Sequence, residues 1–562
     1  MRLQGAFLHH PNPAPIACAI AEARNGYCAS LSPLSLKREI GLSRCAPTSA
    51  SVSTGGMVPL VDTLAACASQ EGVASFHFPG HRRGNAAPPS LARLLGLAPF
   101  THDLPELPEL DNLFAPEGVI SQAQSCAASV FGADSTFFLV NGSTCGIQAA
   151  IMATCPPGHT LILARNCHFS AFSGLVLSGA KPLYVMPGYD LEWDIAHGID
   201  PEDVEKAFVD VRRQDEHAKI GALLITSPTY HGVSSDVKRI ADICHKYGVP
   251  LIVDEAHGAH FQFHDEFPKS ALQQDADIVI QSTHKVLSSL TQSAMLHVRG
   301  NMIDSALLRK CLQTLQSSSP NYLLLASLDA SREHASTSAR AALSTALQLA
   351  EEARKLLVQI KGVEVLSIKD IQDKGSNCAK SVDPLRITVS LREIGLSGFE
   401  VDDILRLKYQ VIAELPSLQS ITFAVSLGTT HDDINSLVAA FRAIAKGELL
   451  GFPNTRRKKQ DNPSPSFVPG MDALSISMQS RILTPREAYF AASERIHAEA
   501  ACGRVCSELV CPYPPGIPLL VPGERICREA VDVLKAIYGH GGYVTGASDN
   551  SMETFLVCKD AP

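Results

Sequence analysis

Apolar positions along the chain follow two rhythms. Near Val58-Pro59-Leu60 they recur at helical spacing (Leu60, Leu64, Cys67), so a helix is expected to begin there. From about residue 120, short and almost wholly apolar runs take over: Thr136–Val140, Thr160–Ala164, Pro182–Met186, Gly221–Thr226, Val249–Val253 and Asp277–Ile280. Helical patterns separate several of them, as in Asp236–Tyr247. Strands apolar on both faces, alternating with helices, predict an α/β layer whose mainly parallel sheet is covered on both sides. After about residue 340 the pattern changes to a long helix, Ala341–Ile360, then a strand, Pro384–Ser390, and mixed α+β text.

These shifts divide the chain into a segment at 1–55, an N-terminal arm at 56–115, a large domain at 116–340, a small α+β domain at 341–452, a linker at 453–469 and a C-terminal α+β module at 470–562. The arm includes Asp103–Leu113, too rich in proline for a regular element and lined with carboxylates. It is expected to extend to a neighbouring subunit or a cationic substrate, with a surface linker as the plainer reading. The linker is basic and proline-rich, and the C-terminal module holds the stiff loop Pro512–Glu524.

Composition narrows the function. A length of 562 residues suits about three domains, and a formal net charge of −9 argues against nucleic acid or an anionic membrane as partner. No apolar run approaches the roughly 20 residues of a membrane-spanning helix. The 16 cysteines are scattered without a CxxC pair, which argues against a metal site and suits a reducing compartment. Residues 1–50 hold five basic residues (Arg2, Arg24, Lys37, Arg38, Arg44), two acids (Glu22, Glu39) and abundant Ser and Ala. That is transit-peptide composition. Pro11, Pro13 and Pro15 break a mitochondrial-type helix, which points to the plastid (chloroplast), with Ser43–Ala46 as the cleavage region. A tail without an address is the alternative.

Ligands of such sheets bind at the carboxyl ends of strands. Four strand ends carry chemistry: Asn141–Gly146, Arg165–His168, Asp254–His260 and Ser282–Lys285. Lys285 stands in a hydroxyl-rich run behind an apolar segment, where it reads as an amine held near an anion. A Schiff base with pyridoxal phosphate (PLP) needs that arrangement; the competing reading is a Ser-rich loop with an incidental lysine. PLP further needs an acid at its pyridine nitrogen, a flat group on its ring and donors for its phosphate. Asp254 suits the first and His168 the second; Ser143, Thr144, Ser282 and His284 suit the third, beside a Gly-Ser-Thr helix start. Taken singly, Asp254 also reads as a helix cap, and His168 and His257 as satisfied polar residues at strand ends.

Ser282-x-His284-Lys285-x-x-Ser288-Ser289-x-Thr291-Gln292-Ser293-Ala294 resembles the attachment-site signature of the ornithine/lysine/arginine decarboxylases, PLP enzymes of the aspartate-aminotransferase-like fold type I. Phe78–His81, Leu104–Leu113, Asn141–Thr144, Asp254–Gly258 and Pro514–Pro518 also resemble family segments, so the likeness spans about residues 57–560, in the short bacterial form. It implies that Lys285 binds the cofactor and Asp254 partners its ring nitrogen. It also implies that His168 stacks on the ring, while Ser143, Thr144, Ser282 and His284 hold the phosphate. His257 stands where some relatives carry Trp, and is expected at the phenolic oxygen. Ser318, in the turn Ser317–Pro320, is implied at the phosphate of a partner subunit, which makes a homodimer or a multiple of it. Glu109, Asp111 and Glu524 are candidates for the substrate's distal cation. The implied reaction is decarboxylation of a basic L-amino acid, arginine before lysine or ornithine, with Lys285 or His284 returning a proton, in polyamine synthesis. The alternatives are an aminotransferase or aldolase of the same fold, for which Arg386 offers a carboxylate clamp, and a catalytically silent regulatory relative.

Overall fold

The computed structural model of the chain describes residues 56–190, 192–372, 377–390, 392–447, 482–513, 516–559 and 561. The apolar runs become the strands of one seven-stranded sheet: β1 (Ser135–Leu139), β2 (Thr160–Ala164), β3 (Lys181–Val185), β4 (Ile220–Thr226), β5 (Leu251–Asp254), β6 (Ile278–Gln281) and β7 (Ala294–Val298), in the order β1-β7-β6-β5-β4-β2-β3. From β6 to β3 every pairing is parallel. β7 runs antiparallel to both neighbours, β1 and β6. The sheet is therefore mainly parallel, as the apolar runs predict, with one reversed strand that they do not disclose.

Helices seal both faces. Gly142–Thr154 packs against Phe169–Ser178 and Ser305–Leu315. Its seat on the sheet is tight: a Cβ at Gly146 would lie 2.7 Å from Leu139 Cδ1. Val237–Lys246 forms as the helical pattern predicts, capped by Asp236, which accepts from the Arg239 N–H. Leu60, Leu64 and Cys67 are the buried face of Pro59–Ala68, as the spacing predicts.

The segment around Asp103–Leu113 packs on the large domain. Leu104, Leu110 and Leu113 are buried in the same hydrophobic core as the large sheet, and Tyr322 Oη donates to the Asp111 carbonyl at 2.6 Å. Burial of three leucines outweighs the extended geometry that the prolines suggest.

A second core surrounds the four-stranded antiparallel sheet made by Glu364–Val365, Arg386–Ser390, Leu415–Pro416 and Ser420–Ala424. The helix Ala339–Leu357 covers it with Leu343, Leu347 and Ala350. A third core, with Val510, Leu520, Val531, Leu534 and Phe555, lies among Ser493–His497, Thr554–Cys558 and the helix Arg528–Gly539. Among the described residues no helix is long and apolar enough to cross a membrane. The expected transit segment 1–55, the linker 453–469 and Pro514-Pro515 lie outside the described residues.

Candidate active site

The carboxyl ends of β2, β4, β5 and β6 open on one cavity, lined by Ser143, His168, Asp254, His257, Lys285 and further residues of the adjoining turns. Sequence and topology together explain the convergence: each parallel strand ends on the same edge, so each delivers its next residues to the same place.

β1 ends at Leu139, Asn141 opens the following helix, and Gly142 turns the chain into it with φ +73°, a conformation glycine adopts without strain. No side chain caps this helix, so its first N–H groups are open to an anion. Ser282, fully buried at the end of β6, donates its hydroxyl to Ser143 Oγ at 2.9 Å and joins the two strand ends. His284 Nδ1 donates to the Ser293 carbonyl at 2.8 Å, which fixes its ring.

Asp254 is buried, and among the described residues the hydrogen bond to its carboxylate comes from the Ala256 N–H at 3.1 Å. Burial lifts its pKa to about 6, against the pull of Lys285. A buried carboxylate with so few donors suits a cationic ring N–H. Lys285 Nζ lies 3.1 Å from His257 Nε2 and 5.2 Å from the centre of the Tyr230 ring. Burial depresses the Lys285 pKa, and the nearby Arg386 charge adds to that, while Asp254 and Glu414 oppose it. Burial and the Lys285 charge push His257 well below its ordinary value and bring His168 to about 3, so both imidazoles are neutral. His168 Nδ1 accepts from the Ser170 N–H at 3.3 Å at the start of Phe169–Ser178.

Acid, amine, flat imidazole and anion-binding helix start thus stand together in donor types that fit PLP. Seven expected residues are not in the cavity lining: Thr144, Ser282 and His284 adjoin its Ser143 and Lys285 or bond to them, while Ser318, Glu109, Asp111 and Glu524 stand further off in the chain. Ser318 is exposed on a turn whose neighbour Ser317 donates its N–H to Asn141 Oδ1 at 3.3 Å. Glu109 is exposed. The other two acids are committed elsewhere. Asp111 accepts from the backbone N–H groups of Asn112, Glu117, Gly118, Ile120 and Ser121, which hold its carboxyl below the usual range despite partial burial. Glu524 is buried and bonded to Arg165 Nη2 at 3.2 Å. Within the chain, both carboxylates are thus engaged with its own groups.

The cavity also uses Asn166 and Ile517, from segments already singled out, and Thr226, Thr229, Tyr230 and His231, which the motif reading passes over. The last three lie on the turn after β4. The strand-end rule applied to Thr226 would have found these four, but that turn carries no lysine or acid to draw attention.

Residues 58–433 match the Orn/Lys/Arg decarboxylase major domain, and residues 471–541 match the Orn/Lys/Arg decarboxylase C-terminal domain. The chain belongs to the Orn/Lys/Arg decarboxylase family. Family membership makes it an enzyme that decarboxylates a basic amino acid. An arginine decarboxylase of Bacillus subtilis (strain 168) is 36% identical over 502 residues, covering 89% of this chain and 98% of that protein. The lysine decarboxylase LdcA of Pseudomonas aeruginosa is 24% identical, over 82% of this chain and 73% of its own. The fold of the Francisella novicida lysine decarboxylase LdcF superposes with a TM-score of 0.75 at 19% identity, over 90% of this chain and 82% of that one. The constitutive lysine decarboxylase of Escherichia coli gives 0.73 at 21%, over 90% and 82%.

Proposed function

We propose that this decarboxylase uses PLP and takes L-arginine in preference to L-lysine or L-ornithine, giving agmatine and CO2. The observation that carries the cofactor is the meeting of Lys285, Asp254, His168 and the uncapped Gly142 helix start at one cavity. The substrate preference rests on the likeness to arginine decarboxylases over nearly the whole chain.

PLP, when bound, supplies a sink for the electron pair left when CO2 departs. Lys285 would anchor the cofactor, Asp254 would hold a proton at its pyridine nitrogen, Ser143, Thr144, Ser282 and His284 would hold its phosphate, and His168 and His257 would serve its ring and phenolic oxygen. The substrate's Cα–carboxyl bond breaks, and Lys285 Nζ or His284 returns one proton to Cα. Arg386, whose charge is felt by Lys285 and His257, would attract the substrate's carboxylate.

The proposal includes a homodimer in which Ser318 of one subunit serves the phosphate of the other, a role for the product in polyamine synthesis, and delivery to the plastid by residues 1–55. The relatives reported above are bacterial, and the family match begins at residue 58, after that segment. The deciding experiment incubates the purified enzyme, with PLP, with each of the three amino acids and measures CO2 and amine. Arginine should give the highest kcat/KM. A keto acid without CO2 refutes the proposal. Sedimentation tests the dimer, and N-terminal sequencing of the mature protein tests the leader.

A further inference from the structure

The turn after β4 holds an imidazole for which the cofactor set has no use. Thr229–Gly232 is tightly fixed: the Gly232 N–H donates to the Thr229 carbonyl at 2.9 Å, and the Thr229 N–H donates to the Val233 carbonyl at 2.9 Å. The Asp383 N–H then donates to the Gly232 carbonyl at 2.8 Å, and Val233–Ser234 pairs with Ser381–Val382. Gly232 has φ +85°, and a Cβ there would lie 2.9 Å from Arg386 Cγ. His231 is therefore presented rigidly, one residue from the backbone against which Arg386 packs.

His231 lines the cavity and is 8% exposed. Among the described residues its Nε2 has no hydrogen-bond partner. Burying a ring nitrogen this way is costly unless a ligand completes it. Asn166 Oδ1 and Thr226 Oγ1 share that condition in the same lining. Asn166 Oδ1 can only accept. Thr226 is the register partner of Asp254 and belongs to the pyridine end. His231 is the remaining one, a donor in its Nε2–H tautomer, on the Arg386 side. Burial and the neighbouring His197 keep it neutral, with a pKa near 3.

We propose that His231 donates a hydrogen bond to the α-carboxylate of the amino-acid substrate and sets its direction beside Arg386. The inference rests on the decarboxylase reading. It adds a reason for a neutral donor: the carboxylate leaves as uncharged CO2, so a partner that orients without adding charge holds the ground state less tightly than a second cation would.

The test compares the PLP-loaded enzyme with His231→Phe and His231→Gln. Three quantities are measured: visible cofactor absorbance, KM for L-arginine, and Ki for agmatine, which has the same cation but no carboxylate. His231→Phe should raise KM roughly ten- to a hundredfold. The agmatine Ki and the absorbance should not move, and His231→Gln, which keeps an N–H, should recover part of the loss. A parallel rise in the agmatine Ki, a loss of cofactor absorbance, or an unchanged KM overturns the assignment. Absence of CO2 release from the wild type with arginine, lysine or ornithine overturns the activity itself and is read separately.

Discussion

Lys285 Nζ stands 3.1 Å from His257 Nε2. An ammonium and an imidazolium repel strongly at that spacing. Burial lowers both pKa values, the Lys285 charge lowers that of His257 further, and the imidazole is thus the neutral acceptor that orients the amine. Lys285→Ala should abolish turnover and the absorbance of the lysine-bound cofactor together. His257→Phe should keep the absorbance but lower kcat by about 10- to 100-fold, the scale of loss when a reacting group is misplaced by an ångström. Steady-state CO2 release and a visible spectrum on the same samples check both.

Asp254 sets function against stability. Its folded pKa is about 6, above the ordinary 3.8, because burial disfavours the charge. A raised carboxylate pKa means that the unfolded chain releases its proton first. The penalty is absent below the ordinary value, grows as pH rises, and is complete above about 6, where it amounts to on the order of 3 kcal/mol. Asp254→Asn should therefore raise the Tm of the cofactor-free protein at pH 7 to 8 and leave it little changed near pH 4. The same change should weaken PLP binding and remove most turnover. Calorimetry of the apoprotein across pH, with cofactor titration at pH 8, measures both sides.

The strand ends that carry Lys285, Asp254, His168 and Gly142 were legible because each closes an apolar run, so hydropathy alone places them on one edge of a parallel sheet. β7 was not legible. His297 interrupts its apolar text, yet it is buried, with Nδ1 2.8 Å from Thr136 Oγ1 and Nε2 3.1 Å from Gln281 Oε1. Satisfaction by two neighbouring strands makes a polar residue tolerable in a core, and no single-chain window contains those neighbours. The partners of the acids were hidden for the same reason. Asp111 becomes an acceptor for backbone N–H groups up to Ser121 only because the chain folds back at Asp111, where φ is +69°.

His284 gives the cofactor site a pH dependence of predictable sign. Burial lowers its pKa, so at pH 7 it is neutral in the free protein, with its Nδ1 proton on the Ser293 carbonyl. A phosphate dianion at Nε2 favours the charged ring, so binding takes up a proton. The Kd for PLP should rise as pH increases through neutrality, and His284→Ala should flatten that dependence. Ser282→Ala, which removes the hydroxyl on Ser143, should weaken binding roughly five- to tenfold at every pH, the worth of about one hydrogen bond. Equilibrium dialysis from pH 6 to 9 separates the sloped effect from the uniform one.

Arg165 and Glu524 form an ion pair whose side chains are 0% and 2% exposed. The guanidinium also donates from Nη1 to the Pro518 carbonyl at 2.6 Å and from Nη2 to the Leu519 carbonyl at 3.3 Å, with Phe172 and Tyr184 rings about it. Arg165 follows β2, while Pro518, Leu519 and Glu524 belong to the proline-rich loop, so this one side chain ties the C-terminal module to the sheet edge that bears the cavity. Removing one partner leaves a buried charge without compensation. Glu524→Ala should therefore cost about 3–5 kcal/mol and lower the Tm markedly, whereas Glu524→Gln, which keeps an acceptor for Arg165, should cost less. Because the carboxylate faces Arg165, KM for the basic amino acid should be unchanged in Glu524→Gln. A KM that rises in Glu524→Gln with no loss of Tm would return Glu524 to the substrate, and thermal melts beside steady-state kinetics on the two variants decide it.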